Sequence, residues 1–173
     1  MTREALTRQI HHIQDEVLLL GSMVEQAMLQ AVQALRNRDV PAANRIYRDD
    51  SYINDKRYAI ENAILILIAT QQPMARDLRL LAAMLEVINE LERMGDYAKG
   101  VAKIARKIDG EDLPIPAEFD RMAQLAVEML HRAFPLPVVP SGQTRSGWEG
   151  PLHQFFGQFW QPLWHNHPSA PIH

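Results

Sequence analysis

Cysteine is absent from all 173 residues. Disulfides, zinc fingers and thiol catalysis go with it, and a reducing compartment fits. Long apolar runs are missing too: the longest, "AILILIA" at 63–69, is too short to span a bilayer. Charge of one sign does not accumulate. A formal net charge of −3 with no block of like charges gives no general attraction to nucleic acid. The stretch "MTREALTRQIHHIQDE" is polar from its start and contains no apolar segment to serve as a signal peptide, so the expected location is the cytoplasm. No glycine-rich phosphate loop, nucleophile elbow or Ser/His/Asp arrangement occurs. No catalytic residue is assigned, and the chain is read as a non-enzyme.

Proline is scarce through most of the chain: Pro41, Pro73, Pro114 and Pro116 are the only ones before position 134. Helical periodicity occupies the intervals. Leu6, Ile10, Ile13, Val17, Leu20, Val24, Met28, Ala31 and Leu35 recur at steps of three and four, the stripe of a long amphipathic helix. Asp39 followed by Pro41 supplies a cap and first turn for a second helix, whose stripe is Ile46, Asp50, Ile53, Arg57, Ile60, Ile64 and Leu67. "TQQP" breaks the pattern, and Pro73 opens a third helix running to about Lys107. "DGEDLPIP" at 109–116 is a connector, after which Met122, Ala126, Met129 and Ala133 begin a fourth. Short connectors between long helices predict an all-α, up-and-down antiparallel bundle.

Composition changes sharply at position 134. The last 40 residues hold seven of the eleven prolines, all three tryptophans and four of the seven histidines, with Glu149 and Arg145 as the only acid and base. Three segments follow: 1–108 as a three-helix unit, 109–133 as a connector and one further helix, and 134–173 as an irregular tail. Within the tail, Leu152, Phe155, Phe156, Phe159, Trp160, Leu163 and Trp164 recur as on an amphipathic helix that Gly157 and Pro162 interrupt. A surface for a membrane or partner, a poorly ordered tail and an out-of-frame translation are the readings left open.

Charged residues on apolar stripes are the candidate chemistry. Leu78, Leu81, Leu85 and Ile88 lead by helical steps to Glu92 and then Gly95. A carboxylate there needs a compensating partner. Glu92 and Asp96 form E-x-x-x-D, with Cβ atoms roughly 5–6 Å apart on one helix face. Asp50 and Asn54 repeat the spacing on the second helix. Two oxygen-rich turns on different helices suit a shared hard cation such as Mg²⁺, Mn²⁺, Ca²⁺ or ferric iron. The alternative is that Glu92 pairs with Arg57, Arg76 or Arg79 across the bundle. Glu128 and His131 form a lone E-x-x-H, whereas a di-iron oxidase site needs two such motifs, so His131 is read as incidental. His11 and His12 are expected in solvent, and His165 and His167 in the tail are weak metal candidates.

The segments "RDDSYINDKRYAIE", "QQPMARDLR" and "LERMGDYA", in this order and spacing, resemble the first repeat of the PhoU family of phosphate-uptake regulators, over roughly positions 3–134. The resemblance implies two three-helix repeats in a cytoplasmic, often dimeric protein that holds metal clusters through E/D-x-x-x-D motifs. It implies a divalent or trivalent ion (iron, manganese, magnesium or zinc), carried here by Glu92, Asp96, Asp50 and Asn54. It also implies negative regulation of the phosphate-starvation response, with a phosphate ABC transporter and a membrane sensor kinase as partners. In that resemblance the second repeat is begun and then meets "PLPVVPSG"; a change of reading frame near position 134 would account for composition, charge and periodicity changing together. A plain helical interaction module, its charged stripe residues serving as interhelical ion pairs, is the competing class.

Overall fold

The computed structural model describes residues 3–108, 110 and 114–133; the segment from 134 onward, with His165 and His167, lies outside them. Four helices carry the fold: α1 (Arg3–Asn37), α2 (Val40–Gln71), α3 (Ala75–Lys107) and α4 (Glu118–Ala133). No strand occurs among the described residues, as the periodicity predicts, and all four helices fall within one compact unit.

The α1 stripe does pack inward. Ile10, Ile13, Val17, Leu20, Val24, Ala31 and Leu35 are buried, while Leu6 and Met28 at the stripe's edges are half-buried. Each large aliphatic side chain so enclosed contributes about 1.5–3 kcal/mol. By length and composition α1 is also long and apolar enough to cross a membrane, a property that counting uninterrupted apolar runs overlooks. Its most apolar positions, Val17, Leu20 and Val24, are completely enclosed by the bundle.

At the α1–α2 turn, Arg38 takes the left-handed conformation (φ 53°). Asp39 then caps α2: the backbone N–H of Ala42 donates to Asp39 Oδ1 at 2.9 Å, and Pro41 lies in the first turn. The cap expected from sequence is formed. α2 buries Ala43, Ile46, Asp50, Ile53, Ile60, Ile64 and Leu67, and closes at Gln72, which is left-handed (φ 46°) and donates its N–H to the Ile68 carbonyl at 3.3 Å. Pro73 does not itself open α3. The helix starts at Ala75, and its N-cap, Met74, offers no side-chain oxygen.

The seam of α3 differs from the expected one. Leu81, Met84, Ile88, Leu91, Gly95, Ala98, Ala102 and Ala105 are buried, whereas Leu78 is exposed and Leu85 and Glu92 are half-buried. Leu91, not Glu92, fills the core. Interhelical contacts fix the directions: Lys56 of α2 pairs with Glu16 of α1, and Arg57 Nη1 of α2 donates to Asn89 Oδ1 of α3 at 3.2 Å. Helix α4 runs back along α1, with Arg36 paired to Asp120 and His131 Nε2 3.0 Å from Glu25 Oε2. The bundle is therefore up-and-down and antiparallel. On α4 the packed residues are Ala123 and Leu130. Met122 and Met129, expected on the inner stripe, are 63% and 65% exposed.

Candidate functional site: a buried carboxylate between α2 and α3

Asp50 occupies an apolar stripe of α2 between Ile46 and Ile53, and only 5% of it is exposed. A carboxylate so placed is costly unless charge and hydrogen bonds compensate it. Both are supplied. Lys99 Nζ of α3 donates to Asp50 Oδ2 at 2.6 Å, and Asn54 Nδ2, one turn further along α2, donates to the same oxygen at 3.1 Å. The hydrogen bond to Asp50 raises the Lys99 pKa above its ordinary value; burial opposes this, and the nearby charges of Asp50 and Asp96 add to it.

Asn89, Glu92, Asp96 and Lys99 recur at steps of three, four and three, so they share one stripe of α3. Both ends of that stripe touch α2, through Arg57 and through Asp50. Of the four sequence-predicted residues, the structure brings Asp50 and Asn54 together by a hydrogen bond; Asp96 lies near enough to Lys99 to act on its charge, and Glu92 is joined to α2 only through the stripe it shares with Asn89 and Lys99. Glu92 is half-buried and Asp96 exposed. Among the described residues, no three His, Cys, Asp or Glu side chains converge on one point that could hold a metal ion. Arg57 does not pair with Glu92: it bonds Glu61 Oε2 at 2.9 Å and lies over the Tyr58 ring at 3.9 Å.

Beside the ion pair lies a cavity of about 170 Å³, bordered by Asp49, Asp50 and Tyr52 of α2, Gly95 and Lys99 of α3, and Gln26 of α1. Gly95 is where the three long helices meet. A Cβ there would stand 3.2 Å from Ile53 Cγ2 and 3.9 Å from Val24 Cγ2, so the glycine permits the close approach that brings Lys99 to Asp50.

Taken as they stand, the residues do not fit a bound hard cation: among the described residues no three ligating carboxylate or imidazole side chains come together, and the buried Asp50 charge is balanced within the protein. The cation now against Asp50 is the Lys99 ammonium. Sequence reasoning missed Lys99, although its position seven residues beyond Glu92 on the same face was the available signal. It also missed His131 as a partner of Glu25, for which the sequence carries no local sign.

The PhoU domain profile matches residues 17–105, which contain both helix motifs and Lys99. The chain belongs to the PhoU family. A phosphate-specific transport system accessory protein PhoU from Edwardsiella tarda is 35% identical over 124 residues, covering 71% of this chain and 51% of that protein. The homologue of Clostridium acetobutylicum is 36% identical over 112 residues (64% and 51%). That of Streptococcus pneumoniae serotype 4 is 33% identical over 138 residues (78% and 64%). The chain thus spans about half the length of the first two PhoU proteins. No solved structure matches it.

Proposed function

We propose that this chain is a metal-binding regulatory adaptor of phosphate homeostasis. In this reading it is a cytoplasmic, non-enzymatic homodimer that represses the phosphate-starvation response by linking the phosphate ABC transporter to its membrane sensor kinase. The observation that carries the regulatory role is family membership: relatives named as accessory proteins of phosphate-specific transport match over most of the described helices. Metal binding is supported by the one-turn spacing of oxygen-bearing side chains on two neighbouring helices, D-x-x-x-N on α2 and E-x-x-x-D on α3. Asp50 and Asn54 of α2 with Glu92 and Asp96 of α3 would converge on an oxygen-seeking di- or trivalent ion, whose bound charge would tie the two helices together. The chain's own residues set the conditions: Asp50 keeps one oxygen clear of the Lys99 and Asn54 bonds, and Gly95 keeps the helices close.

One observation favours a second reading, a helical interaction module without metal: the Lys99 ammonium, 2.6 Å from Asp50 Oδ2, already balances the buried charge. Two measurements decide. The chain is expressed in a bacterium whose own PhoU gene is deleted and which carries a reporter of the phosphate-starvation response. Restored repression in phosphate-rich medium is the expected result, and a fully derepressed reporter overturns the regulatory role. Metal content of the purified protein is then compared with that of Glu92→Ala, Asp96→Ala and Asp50→Asn. Loss of bound metal in these variants is expected, and equal content in all four proteins leaves the ion-pair module.

A further inference from the structure

We propose that the end of the bundle at the α2–α3 turn docks on an anionic lipid bilayer, with Leu65, Ile66 and Met74 entering the acyl-chain boundary and Arg8, Arg76 and Arg79 meeting lipid phosphates around them. From Asn62 to Ala75 the chain carries no charged residue. This stretch forms the last turns of α2, the turn at 72–74 and the start of α3. Ile64 and Leu67 fill the core, whereas Leu65, Ile66 and Met74 are 50%, 63% and 77% exposed, and Leu78, one turn along α3, is 41% exposed. Apolar side chains gathered in solvent at one end of a molecule mark a contact surface. Leu65 lies fifteen residues beyond Asp50 on α2, roughly 22 Å along the helix, so this docking stands or falls independently of the regulatory reading above.

The start of α1 extends this surface. A cavity of about 510 Å³ lies between α1 and the end of α2, with Ala5, Ile13, Ala63, Ile66 and Leu67 as apolar walls and the exposed Arg8 beside them. Arg76 and Arg79, in the first turns of α3, are exposed as well. Among the described residues no acid pairs with any of these three arginines. The nearest acids in sequence are Glu4 and Asp77. Asp77 sits in the first turn of α3, where the helix dipole favours a carboxylate. An uncharged apolar tip is thus bordered by guanidinium groups that no protein anion satisfies.

Lipid suits this end better than a protein partner does. The run "AILILIA" is too short to span a bilayer, yet an apolar helix face of this kind can lie at the boundary between headgroups and acyl chains. Residues 62–75 hold no aromatic side chain, whereas the cores of protein interfaces draw on Tyr, Trp and Phe. Hydrocarbon covers Leu65, Ile66 and Met74 together without a matching shape. Arginine fits the border: its stem runs along apolar surface while the guanidinium reaches water, and its planar fork takes two oxygens of one phosphate. Each such cation adds an attraction to a negatively charged leaflet that salt screens.

The test mixes the full chain with vesicles of phosphatidylcholine alone and with vesicles of equal parts phosphatidylcholine and phosphatidylglycerol. Because the chain has no cysteine, Met74→Cys accepts a single environment-sensitive fluorophore. Tyr52→Cys, also exposed but midway along α2, is the control. Emission from position 74 should shift to the blue with the phosphatidylglycerol vesicles alone, and emission from position 52 should not move. In co-sedimentation, Arg76→Gln combined with Arg79→Gln should bind the anionic vesicles about thirtyfold more weakly than wild type. Ile66→Ser combined with Met74→Ser should bind at least about tenfold more weakly. Both double variants should melt close to wild type, since the side chains replaced are exposed. Trp160→Ser combined with Trp164→Ser controls for the aromatic segment and should bind as wild type does. Binding that survives both tip variants, or falls only in the tryptophan variant, overturns the proposal. Equal binding to the two kinds of vesicle overturns it too, as does binding to neither. The repression assay and the metal analysis are unaffected by any of these outcomes.

Discussion

Gly95 and Gly100 lie five residues apart on α3 and answer the same substitution differently. A Cβ at Gly95 would press on Ile53 at 3.2 and 3.3 Å, while one at Gly100 meets nothing within 4 Å. Alanine gains roughly 1 kcal/mol of helix propensity over glycine at either site, but overpacking costs about 1–3 kcal/mol. Gly100→Ala should therefore stabilise by roughly 0.5–1 kcal/mol in urea denaturation. Gly95→Ala should fall near or below wild type, and Gly95→Val should lose about 2–3 kcal/mol. Equal gains at both positions would refute the close approach. Lys99 carries a pH signature of its own. Its pKa in the folded chain is raised above the ordinary 10.5, so the stability it contributes is fully present below that value and is lost as pH rises through the folded pKa. In chelator, the stability difference between wild type and Lys99→Met should stay constant from about pH 7 to 9 and shrink above 10.5; a difference that already declines below pH 9 would contradict the assignment. At this scale the sequence was half legible. Asp50 stood out because its stripe is otherwise apolar, and it is buried. Glu92 was misplaced because "LRLLAAMLEVINELE" supports two sets of three-and-four spacings. The set through Leu78 and Leu85 ends on a carboxylate. Packing follows the set through Met84 and Leu91, which continues past Gly95 into the small residues Ala98, Ala102 and Ala105.

Helix ends show where local chemistry decides and where it yields. Asp39 and Pro41 were readable because capping needs only neighbours in sequence. The start of α3 was not: Met74 contributes no capping oxygen and no side-chain bond. Its N-terminal amides thus lack a side-chain acceptor there, and Met74→Asp should stabilise by about 0.5–1 kcal/mol through the missing cap. The α2 end offers the converse case. Gln72 holds φ 46°, a conformation that costs a residue with a Cβ about 1 kcal/mol. Gln72→Gly should relieve it and raise the midpoint of chemical denaturation. A lower midpoint would mean that the glutamine side chain contributes more than its backbone costs. For α4, the stripe Met122, Ala126, Met129 and Ala133 has proper helical spacing, yet Ala123 and Leu130 face α1. Spacing identifies an apolar face without saying which neighbour is near enough to cover it, and α4 has apolar residues on two faces.

That second face matters for the whole molecule. Met122, Leu125 and Met129 are 63%, 47% and 65% exposed, on the last helix described in a chain that spans about half the length of relatives such as the Edwardsiella tarda protein. Contiguous exposed apolar side chains on a helix mark an interaction surface. A second copy of the chain is a suitable occupant on charge grounds. Glu118 lies in the first turn of α4 and Arg132 in the last, so two α4 helices meeting antiparallel about a twofold axis bring each acid to the other's base while the methionines pack between them. The proposed homodimer would then assemble through this face. In sedimentation velocity, wild type should shift from monomer to dimer as concentration rises into the tens of micromolar, an affinity on the order of −6 to −7 kcal/mol. Met122→Lys combined with Met129→Lys should abolish the shift by placing like charges at the centre of the contact. Its folding stability should stay within about 0.5 kcal/mol of the wild-type monomer, because neither side chain is buried in the bundle. A double variant that still dimerises would move the interface elsewhere on the chain. Wild type that stays monomeric throughout would leave the α4 face to a partner other than this chain.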